Sequence, residues 1–178
     1  AGALQWSSQG VSVCTAANEQ EYPVAVSDGT GGAIIAWRDN RARRSGYDIY
    51  AQRVSAAGVP ELAANGVGVC TAREAQVDPL VASDEAGGAV VAWIDYRGET
   101  DWIVYTQRVS AGGVAQWVTD GVALSAPGNG LESPMHAIIS DGSGGAIVAW
   151  SDSRAGAADI YAQRMSAAGT LQWLPGGT

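Results

Sequence analysis

Gly31-Gly32-Ala33-Ile34-Ile35-Ala36-Trp37 returns as Gly87-Gly88-Ala89-Val90-Val91-Ala92-Trp93 and again as Gly144-Gly145-Ala146-Ile147-Val148-Ala149-Trp150. Three copies in one register mark a tandem repeat, and the match continues on both sides. Downstream, Ile49-Tyr50-Ala51-Gln52-Arg53-Val54-Ser55 matches Val104-Tyr105-Thr106-Gln107-Arg108-Val109-Ser110 and Ile160-Tyr161-Ala162-Gln163-Arg164-Met165-Ser166. Upstream, Pro23, Pro79 and Pro134 each open an apolar run that ends in Ser-Asp, at Asp28, Asp84 and Asp141.

Each unit reads as four strands. The first is a Gly-Val segment, Gly10–Val13, Gly66–Val69 and Gly121–Leu124. The second starts at the proline, where a missing N–H does least harm. A glycine-rich turn such as Asp28-Gly29-Thr30-Gly31-Gly32 supplies positive φ and leads to the third. That third strand, Ala33–Trp37 and its copies, is continuously apolar, a pattern expected of a strand buried on both faces. The fourth, Asp48–Ser55 and its copies, mixes Tyr, Gln and Arg with small apolar residues. The fold class expected is therefore all-β, with three tandem four-stranded antiparallel repeats at approximately 10–62, 63–117 and 118–173 in a single domain. Residues 1–9 read as the tail of a preceding repeat phase, because Ala1-Gly2-Ala3-Leu4-Gln5-Trp6 resembles Ala168-Gly169-Thr170-Leu171-Gln172-Trp173.

Small sheets covered on both sides by their neighbours are the blades of a β-propeller. The elements Gly-Gly-Ala-Ile-Ile-Ala-Trp-x-Asp-x-Arg and Asp-Ile-Tyr-Ala-Gln-Arg resemble the repetitive β-propeller modules of secreted or surface-exposed bacterial proteins. That resemblance implies an extracellular or cell-surface location. A closed threefold fold, a β-trefoil or β-prism, is the alternative. Propellers have four or more blades, so three repeats leave open how the assembly closes. Two chains joined head to tail, a fragment of a longer propeller, or strand exchange along a filament each answer it. Gly10, Val11 and Val13 are the candidate assembly edge.

Composition narrows function further. The 178 residues carry 24 Gly, no Phe and a formal charge of −8. That balance disfavours nucleic acid and anionic membranes, which need a basic footprint. No stretch is long and apolar enough to insert in a membrane. Cys14 and Cys70 occupy equivalent positions, with Ser125 in the third. Two buried thiols are expected, with a bridge within or between chains as the alternative.

Trp-x-Asp-x-Arg recurs at Asp39 and Arg41, Asp95 and Arg97, and Asp152 and Arg154. A pair present in every copy is expected to hold the fold, and the same applies to Gln52-Arg53, Gln107-Arg108 and Gln163-Arg164. Residues peculiar to one copy are the candidate ligand-binding set: Arg43, Arg44 and Tyr47 in the first repeat, Asp101 and Trp102 in the second. Trp102 beside a carboxylate suits stacking on a sugar ring. His136, the only histidine, falls in an apolar strand and is expected to be packed. There is no zinc-ligand spacing, nucleophile elbow or P-loop, so no cofactor, metal or catalytic residue is expected. The sequence thus predicts a non-enzymatic structural or adhesive module that self-associates head to tail, with a lectin-like glycan-binding module as the alternative.

Overall fold

The computed structural model describes residues 4–42, 46–98, 102–125 and 136–173. Among them are eleven strands in three separate antiparallel sheets, and no helix. The first sheet is ordered β1 (Gln20–Ser27), β2 (Ala33–Asp39), β3 (Asp48–Val54), β4 (Val67–Cys70). The second repeats this order with β5 (Gln76–Ser83), β6 (Ala89–Asp95), β7 (Ile103–Val109), β8 (Val122–Ala123). The third has β9 (His136–Ser140), β10 (Ala146–Asp152) and β11 (Asp159–Met165), with β10 in the middle. His136 pairs through its backbone with Trp150. The described residues form no closed barrel, which removes the trefoil alternative.

Repeat and sheet are offset by one strand. The Gly-Val segment, read as the first strand of its own repeat, closes the sheet of the repeat before it: β4 pairs with β3, and β8 with β7. A second difference lies at the prolines. β1 and β5 begin three residues before Pro23 and Pro79, and the register shifts between Glu21 and Val24 and between Val77 and Leu80. Tyr22 (φ 53°) and Asp78 (φ 52°) form these bulges with the proline that follows. A bulge leaves backbone unpaired, so it tolerates a residue with no N–H in mid-strand.

The three sheets stack through apolar side chains. Ala36, Ile49, Ala51, Val69 and Cys70 of the first pack on Val91, Trp93 and Val109 of the second. The other face of the second sheet, with Ala92, Ile94, Val104 and Leu124, packs on Val148, Trp150 and Met165 of the third. Every residue of β6 is buried, whereas β2 and β10 bury the face turned toward β6 and leave residues of the other face half-buried. The inner strands β1, β5 and β9 line a common trough, formed by Val24, Ala25, Leu80, Val81, Ala137 and Ile138.

Each glycine-rich turn is tied by its aspartate. The Asp28 carboxylate accepts from the N–H groups of Thr30 (2.8 Å) and Gly32 (2.9 Å), and Asp84 and Asp141 repeat the pattern. Arg53, Arg108 and Arg164 reach across from the neighbouring strand to these aspartates, at 2.9, 3.0 and 2.9 Å. A β-carbon on Gly32, Gly88 or Gly145 would collide with the carbonyl oxygen of Val54, Val109 or Met165, so close backbone approach demands glycine there. Gln52, Gln107 and Gln163 are fully buried and clamp the loop that follows, accepting from the N–H of Leu62, Trp117 and Trp173.

Candidate assembly interface

At the rim of each sheet a tryptophan, an aspartate and an arginine form one knot. In the second sheet Trp93 Nε1 donates to Asp95 Oδ2 (2.8 Å), and Arg97 donates to the same carboxylate through Nε (2.8 Å) and Nη2 (2.6 Å). The guanidinium lies 4.0 Å from the centroid of Tyr105. The first and third sheets repeat this with Trp37, Asp39, Arg41 and Tyr50, and with Trp150, Asp152, Arg154 and Tyr161. Burial opposes ionisation of Asp39 and Asp152, but the hydrogen bonds from arginine and tryptophan outweigh it and hold both below the usual carboxylate range. The aspartate and arginine of each motif thus pair with each other, as their recurrence two residues apart led one to expect.

The knot also reaches between strands. Arg97 Nη2 donates to the carbonyl of Asp120 (2.8 Å), which leads into β8, and to Cys70 Sγ (3.1 Å) in β4 of the previous sheet. Arg41 does the same, to the carbonyl of Asn65 (2.7 Å) and to Cys14 Sγ (3.3 Å). Cys14 therefore sits against the first sheet as Cys70 sits against the second. Other contacts agree. Thr15 N donates to Asn65 Oδ1 (2.8 Å) as Thr71 N donates to Asp120 Oδ1 (2.9 Å). Trp6 Nε1 donates to the carbonyl of Ala56 (2.8 Å) as Trp117 Nε1 donates to that of Ala167 (3.0 Å). Gly10, at φ 78°, turns the chain as Gly66 (84°) and Gly121 (87°) do.

The candidate edge residues Gly10, Val11 and Val13 are thus held where an outer strand belongs, yet among the described residues they pair with no sheet. Val11 and Val13 are half-buried. Behind them a cavity of about 410 Å³ is lined by Val11, Val13, Cys14, Gln20, Ile35 and Trp37. At the next joint the corresponding space is filled by the first sheet itself. Cys14 and Cys70 are free thiols; Cys70 is buried, which pushes its pKa up to about 12, while Cys14 keeps part of its surface open.

The opposite end of the stack presents a second open apolar face. The outer face of the third sheet carries Ile139 (61% exposed) and Ile160 (75%), beside half-buried Ile147, Ala149 and Ala162. Sequence reasoning did not find Ile160, because its motif is that of buried Ile49. Among the described residues β11 has β10 on one side and only the isolated bridge of Met165 with Leu171 on the other.

The residues peculiar to one repeat lie elsewhere. Tyr47 donates its hydroxyl to Glu19 (2.8 Å), and its ring lies 4.4 Å from the Arg38 guanidinium, which also stacks on Tyr22 at 4.0 Å. The Glu19 hydrogen bond, aided by burial, pushes the Tyr47 phenol up to about 12. Trp102 packs on Tyr96, ring centroids 5.1 Å apart, at the border of the second apolar cluster. Arg43, Arg44 and Asp101 lie outside the described residues. Among the described residues no group of acidic, histidine or cysteine side chains is arranged to hold a metal. Comparison with protein-family models, curated proteins and solved structures finds no match to the chain.

Proposed function

We propose that the chain is a non-enzymatic structural or adhesive module of an extracellular protein, that its sheets are blades of a β-propeller, and that it works by joining other copies of itself. The observation that carries this reading is the middle sheet. Both its faces are dry, and the faces that make them so are repeat equivalents of the two left open at the ends of the stack. Inner strands lining a shared trough also suit a propeller axis. Three near-identical knots, each internally satisfied, suit a scaffold better than an asymmetric catalytic centre. The extracellular assignment rests on the resemblance of the repeat motifs alone. A lectin-like module is supported less well, since the rings of Tyr47 and Trp102 already lie against Arg38 and Tyr96. Sedimentation velocity across a wide concentration range tests the proposal. Multiples of the 18.2 kDa chain are expected; a strict monomer at every concentration would overturn it.

A further inference from the structure

Resting on the self-association just proposed, we infer that the partner is a second copy of this chain, and that its residues 10–14 supply an outer strand beside β11 of the third sheet, where the described residues place none. The two internal joints are the template. At the first, β4 belongs to the first sheet by backbone pairing and to the second by the arginine and threonine contacts described above; at the second, β8 pairs with β7 while Leu124 packs on the third sheet. Cys14 and Thr15 already make the second set of contacts, to Arg41 and Asn65, and among the described residues the 10–14 segment lacks the first. β11 offers the first set.

The register transfers directly. β3 pairs with β4 through Ile49↔Cys70, Tyr50↔Gly68 and Ala51↔Val67, and β7 with β8 through Tyr105↔Ala123 and Thr106↔Val122. In the joint between copies, Ile160 faces Cys14, Tyr161 faces Ser12 and Ala162 faces Val11. Ile160 then sits over Ile35 and Trp37 of the second copy, as Ile49 sits over Val91 and Trp93 within one chain. Docking also requires an exchange. Leu171-Gln172-Trp173 duplicates Leu4-Gln5-Trp6, so Trp173 of the first copy claims the slot beside Gly58 and Ala56 of the second copy that the second copy's own Trp6 fills. Trp6 is therefore a self-contained competitor for the joint.

A cysteine cross-link tests this, since facing Cα atoms in a strand pair lie within disulfide range, about 4.4–6.8 Å. Ile160→Cys is made in a Cys70→Ser background; position 160 is exposed, and Ser125 already stands at the equivalent of Cys70. Mild oxidation is expected to make covalent multimers the main species, with peptide mapping locating the bond between Cys14 of one chain and residue 160 of another. Trp6→Ala is expected to raise the yield at a given concentration. Sedimenting oligomers that form no bond between these positions would overturn the strand exchange and leave self-association standing. A monomer throughout, or a bond within one chain, would overturn both.

Discussion

Ile49 and Ile160 are repeat equivalents in identical Asp-Ile-Tyr-Ala-Gln-Arg motifs, yet Ile49 is 0% exposed and Ile160 is 75% exposed. Their difference is the presence of a neighbouring sheet. Ile49→Ala is expected to cost about 2–5 kcal/mol, the range for a truncated core side chain. Ile160→Ala in dilute protein should change stability by no more than about 0.5 kcal/mol. Urea unfolding of the two variants side by side provides the measurement; equal losses would contradict the exposed face.

Asp95 receives Trp93, the backbone of Arg97 and two guanidinium nitrogens. Asp95→Asn leaves the arginine uncompensated and withdraws an acceptor from a buried indole. Removing one partner of a buried pair costs about 3–5 kcal/mol, and Arg97 keeps some solvent contact, so a loss of at least about 2 kcal/mol is expected. An unchanged denaturation midpoint would show that the knot is dispensable.

Acid should loosen the molecule. Asp28, Asp39, Asp141 and Asp152 all hold their protons less tightly than the ordinary 3.8. For Asp28 the hydrogen bonds from Thr30 dominate; for the other three, burial opposes the shift and is outweighed by arginine and N–H donors. A depressed carboxylate contributes stability that is complete above its unfolded pKa and disappears as pH falls through its folded one. Stability is therefore expected to be flat above about pH 5 and to fall steadily below about pH 4. Thermal melts followed by circular dichroism across that window check it; a rise in stability on acidification would refute the assignment.

The two thiols should behave differently. Cys70 is buried, with its pKa pushed up to about 12, whereas Cys14 is partly open. A thiol reagent at neutral pH is expected to label Cys14 and to reach Cys70 only on unfolding. Labelling of Cys14 should slow as protein concentration rises, because the proposed joint would cover it. Mass spectrometry of timed aliquots distinguishes the sites.

Much of the fold was legible. The continuous Ala-Val-Val-Ala-Trp run announced two-sided burial, and β6 shows it in full. The same run in β2 and β10 is buried mainly on one face, since burial there depends on a neighbour that no local pattern encodes. The offset between repeat and sheet was illegible for a related reason: a periodic sequence has no origin, and Val67–Cys70 reads equally well as a first or a last strand. Pro23 and Pro79 were read as strand starts because the bulge depends on positive φ at Tyr22 and Asp78, residue types that give no such signal. Gly10, Val11 and Val13 stand out as a candidate edge from repeat phase alone, while the engagement of Tyr47 with Arg38 and of Trp102 with Tyr96 is tertiary and left no trace in the motifs.

Because the first and second sheets are each sewn shut by a strand from the repeat that follows, an array of these units has polarity. In the proposed joint one end is a socket and the other a plug, as in a bead that threads in one direction only. Growth by adding repeats keeps both ends unchanged, so length can drift without altering how the array joins its neighbours. Inversion of a unit, by contrast, would set socket against socket.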